Sequence, residues 1–219
     1  MLVAILLAAG SSVRAGEDKV FSDLGGRPLL RWSADRLAAD ERIARVVIVA
    51  RLEQARAAGE ALRGLAKPYS LCWGGATRAD SVRAGLAEAR DADAVLVHDA
   101  ARPFLDQGTL GRVLDGLAAH GAAAAALPVS DTLRRGDGWA GETIEREGLV
   151  SMQTPQAFSR AALADAYARA SPPTDCAAAV VAAGGRVRLV RGDLLNFKIT
   201  TSEDLLLAHA LVDAGAVRR

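Results

Sequence analysis

The sequence predicts an α/β fold in which a mostly parallel sheet is flanked by helices and one β-hairpin stands off as an arm. Three observations predict it. Short apolar runs at residues 2–8, 45–50, 69–73, 94–98, 122–129 and 187–190 read as strands, most of them apolar on both faces as buried parallel strands are. Helical patterns fall between them, which calls for right-handed crossovers. One stretch, residues 130–156, breaks the alternation with two polar, β-tolerant segments around a Gly-Asp-Gly turn.

Taken in order, strand 2–8 ends in AAGSSVRAGEDK (8–19), and Pro28 suits the first position of the helix that follows. Trp32 reads as core. Strand 69–73 leads into GGATRADS (74–81), a turn into a helix carrying Val82 and Leu86. Strand 94–98 runs into HDAARP (98–103). That segment reads either as a helix start, with Asp99 as cap and Pro103 in the first turn, or as a carboxylate placed at a strand end. Leu110, Val113, Leu114 and Leu117 repeat on one helix face that Gly121 stops. The hairpin segments are 131–135 and 142–147, with Trp139 exposed in the turn. Further on, Thr174 and Asp175 read as a helix cap, NFKITT (196–201) as an edge strand, and Thr201 with Asp204 as a capping box.

The bulk numbers bound the function. A chain of 219 residues that is 51% hydrophobic and 24% charged, with no linker composition, is expected to form one domain over 1–219, including an arm at about 131–153. With 27 basic and 26 acidic side chains the net charge is +1, which supplies no field to draw in nucleic acid or an anionic membrane. Trp32, Trp73 and Trp139 form no basic-aromatic series. Cys72 and Cys176 have no metal-ligand spacing and suit a reducing compartment. The apolar start lacks a basic leader and no run reaches membrane-span length, so the expected location is cytoplasmic.

In open α/β sheets ligands bind beyond the carboxyl ends of the strands. The informative segments lie there, where three strand ends bring small residues together with Arg14, Lys19, Arg78, Asp99 and Arg102. AAGSSVRAGEDK fits neither glycine rule: five residues separate Gly10 from Gly16, against four in a Walker A loop, and Ser12 takes the place of the second dinucleotide glycine. Its small residues let a triphosphate approach, while Arg14 and Lys19 offer a planar fork and a mobile point charge. A carboxylate such as Asp99, directly after a buried strand, suits a sugar hydroxyl or a hydrated magnesium ion. The chain shows no serine elbow, Cys-His pair or His-x-x-x-His.

Read together in this order, LLAAGSSVRAG, GGATRADSV, VHDAARPF, DTL, QTPQ, a Thr-Asp helix start and FKIT resemble the 2-C-methyl-D-erythritol 4-phosphate cytidylyltransferases of the non-mevalonate isoprenoid pathway. VHDAARPF and QTPQ are the specific parts. The resemblance implies a Rossmann-like domain of the nucleotide-diphospho-sugar transferase type, a homodimer joined through the β-arm, and transfer of CMP from CTP to 2-C-methyl-D-erythritol 4-phosphate with release of pyrophosphate. It implies magnesium, bound mainly through the CTP phosphates, without indicating protein ligands.

Residue by residue, it implies that Arg14 and Lys19 stabilise the pentacoordinate α-phosphate. Arg146 and Lys198 would position the acceptor's phosphate, giving with Arg14 and Lys19 the catalytic set. Nucleotide-binding positions would be Ala8, Ala9, Gly10 and Ser11 on the first loop, Gly74, Gly75 and Ser81 on the second, and Asp99 with Ala100 on the third. Substrate-binding positions would be Asp99, Arg102, Thr132 and Thr154, with Thr174 beside Arg146 and Lys198. The chain departs from the usual family pattern at Ser12, Asp18, Val20, Val150 and Cys176. Ribitol 5-phosphate as acceptor, or a catalytically silent nucleotide-binding dimer, are the alternatives.

The chemistry is coherent on its own terms. A phosphate monoester, with a second pKa of about 6, is already an anionic nucleophile near neutrality and needs no general base. The obstacle is anion meeting anion, which Arg, Lys and magnesium address.

Overall fold

The computed structural model describes residues 1–10, 19–169 and 174–217. The chain alternates β1 (Leu2–Leu7), α1 (Leu29–Ala38), β2 (Ile43–Ala50), α2 (Ala55–Ala61), β3 (Tyr69–Trp73), α3 (Arg78–Glu88), β4 (Ala94–Asp99), α4 (Gln107–His120) and β5 (Ala122–Pro128). There follow β6 (Leu133–Gly136), β7 (Ala140–Ile144), β8 (Val150–Ser159), α5 (Arg160–Arg169), α6 (Cys176–Ala182), β9 (Arg188–Arg191) and α7 (Ser202–Asp213).

The main sheet has seven strands in the order β3-β2-β1-β4-β8-β5-β9, and β6 pairs with β7 in a separate two-stranded sheet. All neighbours in the main sheet are parallel except β8, which runs antiparallel to both β4 and β5. From β1 the chain moves outward to β2 and β3, then returns to place β4 on β1's other side. The strand order therefore reverses between β1 and β4, and the crevice opens at their carboxyl ends.

Alternation along β1 divides the core. Ala4, Leu6 and Ala8 face one layer with Leu30 and Ala34 of α1 and Leu110 and Val113 of α4. Val3, Ile5 and Leu7 face the other with Val82 of α3, Leu163 of α5 and Val180 of α6. A third cluster ties the C-terminal segment on. Trp32, fully buried as expected, stacks edge-on against Phe104 at 5.7 Å, and Phe104 meets Phe197 at 5.9 Å. Ile199 and Ala208 of α7 complete that cluster.

Several local expectations hold. Gly121 ends α4 with φ 77°, a left-handed conformation that glycine adopts without penalty. Thr201 and Asp204 form the capping box of α7, Asp175 caps α6, and Trp139 is 86% exposed in the hairpin turn. No described helix is long and apolar enough to cross a membrane.

Others need correction. Residues 196–201 form no strand: Ile199 N–H donates to Ala101 O at 2.8 Å, but no ladder follows. The helix after HDAARP starts only at Gln107, capped by Asp106, so Asp99 is not a cap. Pro28 precedes its helix rather than opening it. The strand β8 was not expected, because Gln-Thr-Pro-Gln reads as polar and a proline argues against a central strand. Pro155 is accommodated because the β5–β8 register shifts there: Gln156 pairs with Ala124, while the next recorded pair is Met152 with Ala126. The peptide bond between Thr154 and Pro155 is cis. Residues 150–153, expected within the arm, belong to this strand, and the paired part of the hairpin is confined to β6 and β7.

Candidate active site

The site begins with two parallel strands ending side by side, Leu7 of β1 in register with Asp99 of β4. Ala100 N–H donates to Leu7 O at 2.9 Å and Ala8 N–H to Val49 O at 2.7 Å. The side chains of Ala8 and Ala100 lie fully buried in the core beneath, so these expected nucleotide positions support the floor rather than line it. The β3 loop closes tightly over the β1 loop. A Cβ on Gly74 would sit 2.6 Å from both Ala9 Cβ and Ser81 Oγ, and one on Gly75 would sit 2.5 Å from Asp80 Cβ, so only glycine fits at either position. Thr77 caps α3 reciprocally with Asp80 and fixes the turn.

Above this floor is a cavity of about 690 Å³ lined by Ala9, Gly10, Lys19, Gly75 and Ser81, and also by Arg51 and Thr77. Beside it lies a second of about 300 Å³, lined by Arg102, Thr154 and Thr174 together with Gln153, Gln156 and Asp175. Arg78, Asp99 and Lys198 line both.

Asp99 is the hinge between the two cavities. It is 8% exposed, with Lys198 Nζ 2.9 Å from Oδ2 and Arg78 Nη2 3.3 Å from Oδ1. Burial alone would push its pKa up, but the charges of Arg78, Lys198 and Arg102 outweigh burial and hold the carboxyl well below the usual range. Arg78 responds in kind. Burial would lower its pKa, yet Asp99 raises it further. Arg102 is the reverse case, since burial outweighs its attraction to Asp99 and lowers its pKa. Its Nη1 donates to Asn196 O at 2.7 Å, while Nε is buried without a hydrogen-bond partner among the described residues.

Behind Asp99 the protons are fixed by elimination. His98 is fully buried, and burial pushes its pKa down to about 4, so the ring is neutral. Its Nε2 lies 3.1 Å from Arg102 O, which can only accept, so Nε2 carries the hydrogen and Nδ1 the lone pair. Thr154 Oγ1, 3.1 Å from Nδ1, therefore donates to it while accepting from Asp99 N–H at 3.1 Å. His98 orients the carboxylate's backbone and is not a base.

QTPQ staples two segments to β8, residues 193–196 and the cap of α6. Gln153 Nε2 donates to Asp193 O at 2.8 Å, Asn196 Nδ2 donates to Thr154 O at 2.8 Å, and Gln156 Nε2 donates to Asp175 Oδ2 at 2.9 Å. Phe197 and Ile199 pack into the Trp32 cluster, which leaves Lys198 between them aimed at Asp99. The next residue holds the other lysine: Lys19, 5% exposed, donates from Nζ to Thr200 O at 2.6 Å. Asp204 in turn fixes Thr200, accepting from its N–H and its hydroxyl at 2.7 Å each.

The structure thus gathers Ala9, Gly10, Lys19, Gly75, Ser81, Asp99, Arg102, Thr154, Thr174 and Lys198 around two adjoining cavities. Thr132 and Arg146 line neither. Both are exposed at the base of the hairpin, where Arg146 Nη1 donates to Ser130 O. Ser11 and Arg14 lie outside the described residues. Sequence reasoning left Arg51, Thr77, Gln153, Gln156 and Asp175 out of the site. QTPQ was a usable signal for the glutamines, and the Thr-x-x-Asp spacing hid Thr77 as an ordinary cap. No three His, Cys, Asp or Glu side chains among the described residues come together to hold a metal.

The family model for 2-C-methyl-D-erythritol 4-phosphate cytidylyltransferase matches residues 2–214. A protein of that name from Rhodococcus jostii is 43% identical, the match covering 98% of this chain and 96% of the relative. A bifunctional enzyme IspD/IspF from Anaeromyxobacter dehalogenans is 47% identical over 97% of this chain and 57% of the relative, so the chain spans little more than half the length of such bifunctional relatives. The crystal structure of 2-C-methyl-D-erythritol 4-phosphate cytidylyltransferase from Thermus thermophilus superposes with a TM-score of 0.81 at 41% identity, covering 97% of this chain and all of that one. By a family match that spans both cavities and nearly every described element, the chain belongs to the 2-C-methyl-D-erythritol 4-phosphate cytidylyltransferase family.

Proposed function

We propose that this chain transfers CMP from CTP to 2-C-methyl-D-erythritol 4-phosphate, releasing pyrophosphate. The observation that carries the reading is the pair of adjoining cavities sharing Arg78, Asp99 and Lys198, one of nucleotide size and one of sugar-alcohol size. CTP occupies the larger, with its base and ribose toward Gly75, Ser81 and Asp99. Its triphosphate runs over Ala9 and Gly10 toward Lys19. The acceptor occupies the smaller, against Thr154, Thr174 and Arg102, with its phosphate toward Lys198.

The acceptor's phosphate oxygen attacks the α-phosphorus, and the bond to the β-phosphate oxygen breaks. Lys19, anchored through Thr200, neutralises charge building on the α-phosphate together with Arg14. Magnesium, when bound with the triphosphate, would supply further neutralisation of charge on the leaving pyrophosphate. Both Asp99 oxygens face cations within the chain, which suits a carboxylate that meets hydroxyls better than one that meets the metal.

Thr132 and Arg146 enter this scheme from a second copy, whose hairpin reaches the acceptor cavity. An exposed two-stranded hairpin is marginal alone and gains from such a partner. The two cysteines, both free, suit the cytoplasm. The test is pyrophosphate release from CTP and magnesium with methylerythritol phosphate and ribitol phosphate supplied separately. Release with the first alone is expected. Release with ribitol phosphate alone overturns the substrate, and nucleotide binding without release to either overturns the transferase.

A further inference from the structure

Lys198 is held by a carboxylate and is also the cation that an acceptor's phosphate must reach. Its side chain is 42% exposed and lines both cavities, so it is free to turn. Asp99 is not: its side chain is 11% exposed, on a strand end fixed by Thr154 and His98. A buried carboxylate left without a partner is strongly unfavourable. If Lys198 were its sole companion, phosphate binding would have to meet that cost.

The second cation is built to remain. Arg78 is the first residue of α3 and only 25% of its side chain is exposed. Nη2 faces Asp99 Oδ1 and Nη1 lies 3.7 Å from Cys176 Sγ, which is itself 3.3 Å from Tyr167 Oη. Burial keeps both thiol and phenol protonated, so the thiol, backed by the phenol, lies against the guanidinium without competing for its charge. We propose that Arg78 is the positioning residue that stays with Asp99 when Lys198 leaves that carboxylate for the phosphate of the acceptor. The inference rests on the reading that the acceptor is a phosphate monoester.

No other described group hydrogen-bonds an Asp99 carboxylate oxygen. Arg102, on the loop after β4, adds positive charge nearby, but its Nη1 donates to Asn196 O. His98 on β4 is neutral. Across the smaller cavity Asp175 adds negative charge and is occupied by Gln156 and Ala178 N–H. Cys176 and Tyr167 carry none.

The test uses the whole chain without CTP, so its outcome does not depend on nucleotidyl transfer. The Asp99 carboxyl is followed by NMR against pH in the native chain, Arg78→Gln and Arg78→Lys, and inorganic phosphate is titrated into each at neutral pH. Arg78→Gln is expected to move the Asp99 titration upward and to weaken phosphate binding about tenfold, with Arg78→Lys restoring most of both. An unchanged Asp99 titration in Arg78→Gln, or unchanged phosphate affinity, overturns the proposal. So does Arg78→Lys behaving like Arg78→Gln, which would make shape rather than charge the requirement. Should Arg78→Gln fail to fold, Arg78→Lys decides alone: affinity within about threefold of native supports the proposal, and a tenfold loss overturns it.

Discussion

The floor of the crevice and the hairpin both present charged side chains, yet they hold them in opposite ways. Asp99 and Arg78 sit among packed elements, each fixed by atoms of the same chain, and Lys198 reaches Asp99 from the more open side. On the hairpin nearly every residue is exposed, and the pair Arg135–Glu142 spans 3.9 Å in water, a contact worth about 0–1 kcal/mol. One region holds its geometry by burial; the other lies open to water. Mutations in the floor should therefore cost folding as well as activity, whereas those in the hairpin should cost activity alone.

The sharpest break is at Lys19, a buried floor residue whose proposed role is in the transition state. Lys19→Ala is expected to lower kcat by roughly 10²–10³ while leaving the CTP dissociation constant within about threefold, as read by single-turnover kinetics and calorimetry. Unchanged turnover removes Lys19 from the transition state. Next, Asp99→Ala leaves Arg78 and Lys198 facing each other without their anion. A loss of about 3–5 kcal/mol in urea unfolding is expected, and a loss under 1 kcal/mol would make the floor no different from the surface.

Acid should separate the regions too. His98 is neutral and buried with a pKa of about 4 against an unfolded value of about 6.5, so the unfolded chain binds more protons between those values. Its contribution to stability is complete above about pH 6.5 and falls by up to about 3 kcal/mol as pH drops toward 4; the depressed Asp99 adds a further loss at still lower pH. In His98→Gln the slope between pH 6.5 and 4 should flatten, and persistence of the full slope would assign it elsewhere. The smallest stability effect belongs to the hairpin. Arg146→Ala should change the unfolding free energy by less than about 0.5 kcal/mol yet raise the acceptor KM. Mixed with Lys19→Ala subunits, it should recover activity in heterodimers through one intact composite site. No recovery there would end the idea of exchanged arms.

Much of this was legible in the sequence, and the boundary of legibility is physical. The runs that became β1, β2, β4 and β5 were plain because burial on both faces leaves no polar period to misread, while β3 and β9, more exposed, were legible as short apolar runs alone. β8 stayed hidden because its polar residues satisfy one another inside the fold: Gln153 and Gln156 look like surface residues until Asp193, Asp175 and Ala177 are brought to them by other elements. Lys198, a lone lysine between Phe197 and Ile199, had no signal beyond the FKIT resemblance. Its direction is set by the burial of Phe197 and Ile199, a fact about the third core cluster. Arg78 was visible as a cation at a strand end, but a helix start explained it equally well until Asp99 was seen at 3.3 Å.

β8 also has a mechanical consequence. Toward its carboxyl end, residues 156–158 are laddered on both sides, to β4 and to β5, whereas residues 150–152 are laddered to β5 only. The strand is thus a graded beam, clamped beside the acceptor cavity and compliant where the hairpin joins it. A load on the hairpin tip can tilt the compliant end while Thr154, stapled to Asp99 and His98 near the clamp, keeps its station. On the proposed arrangement, the hairpin could seek a partner without detuning the site in its own chain.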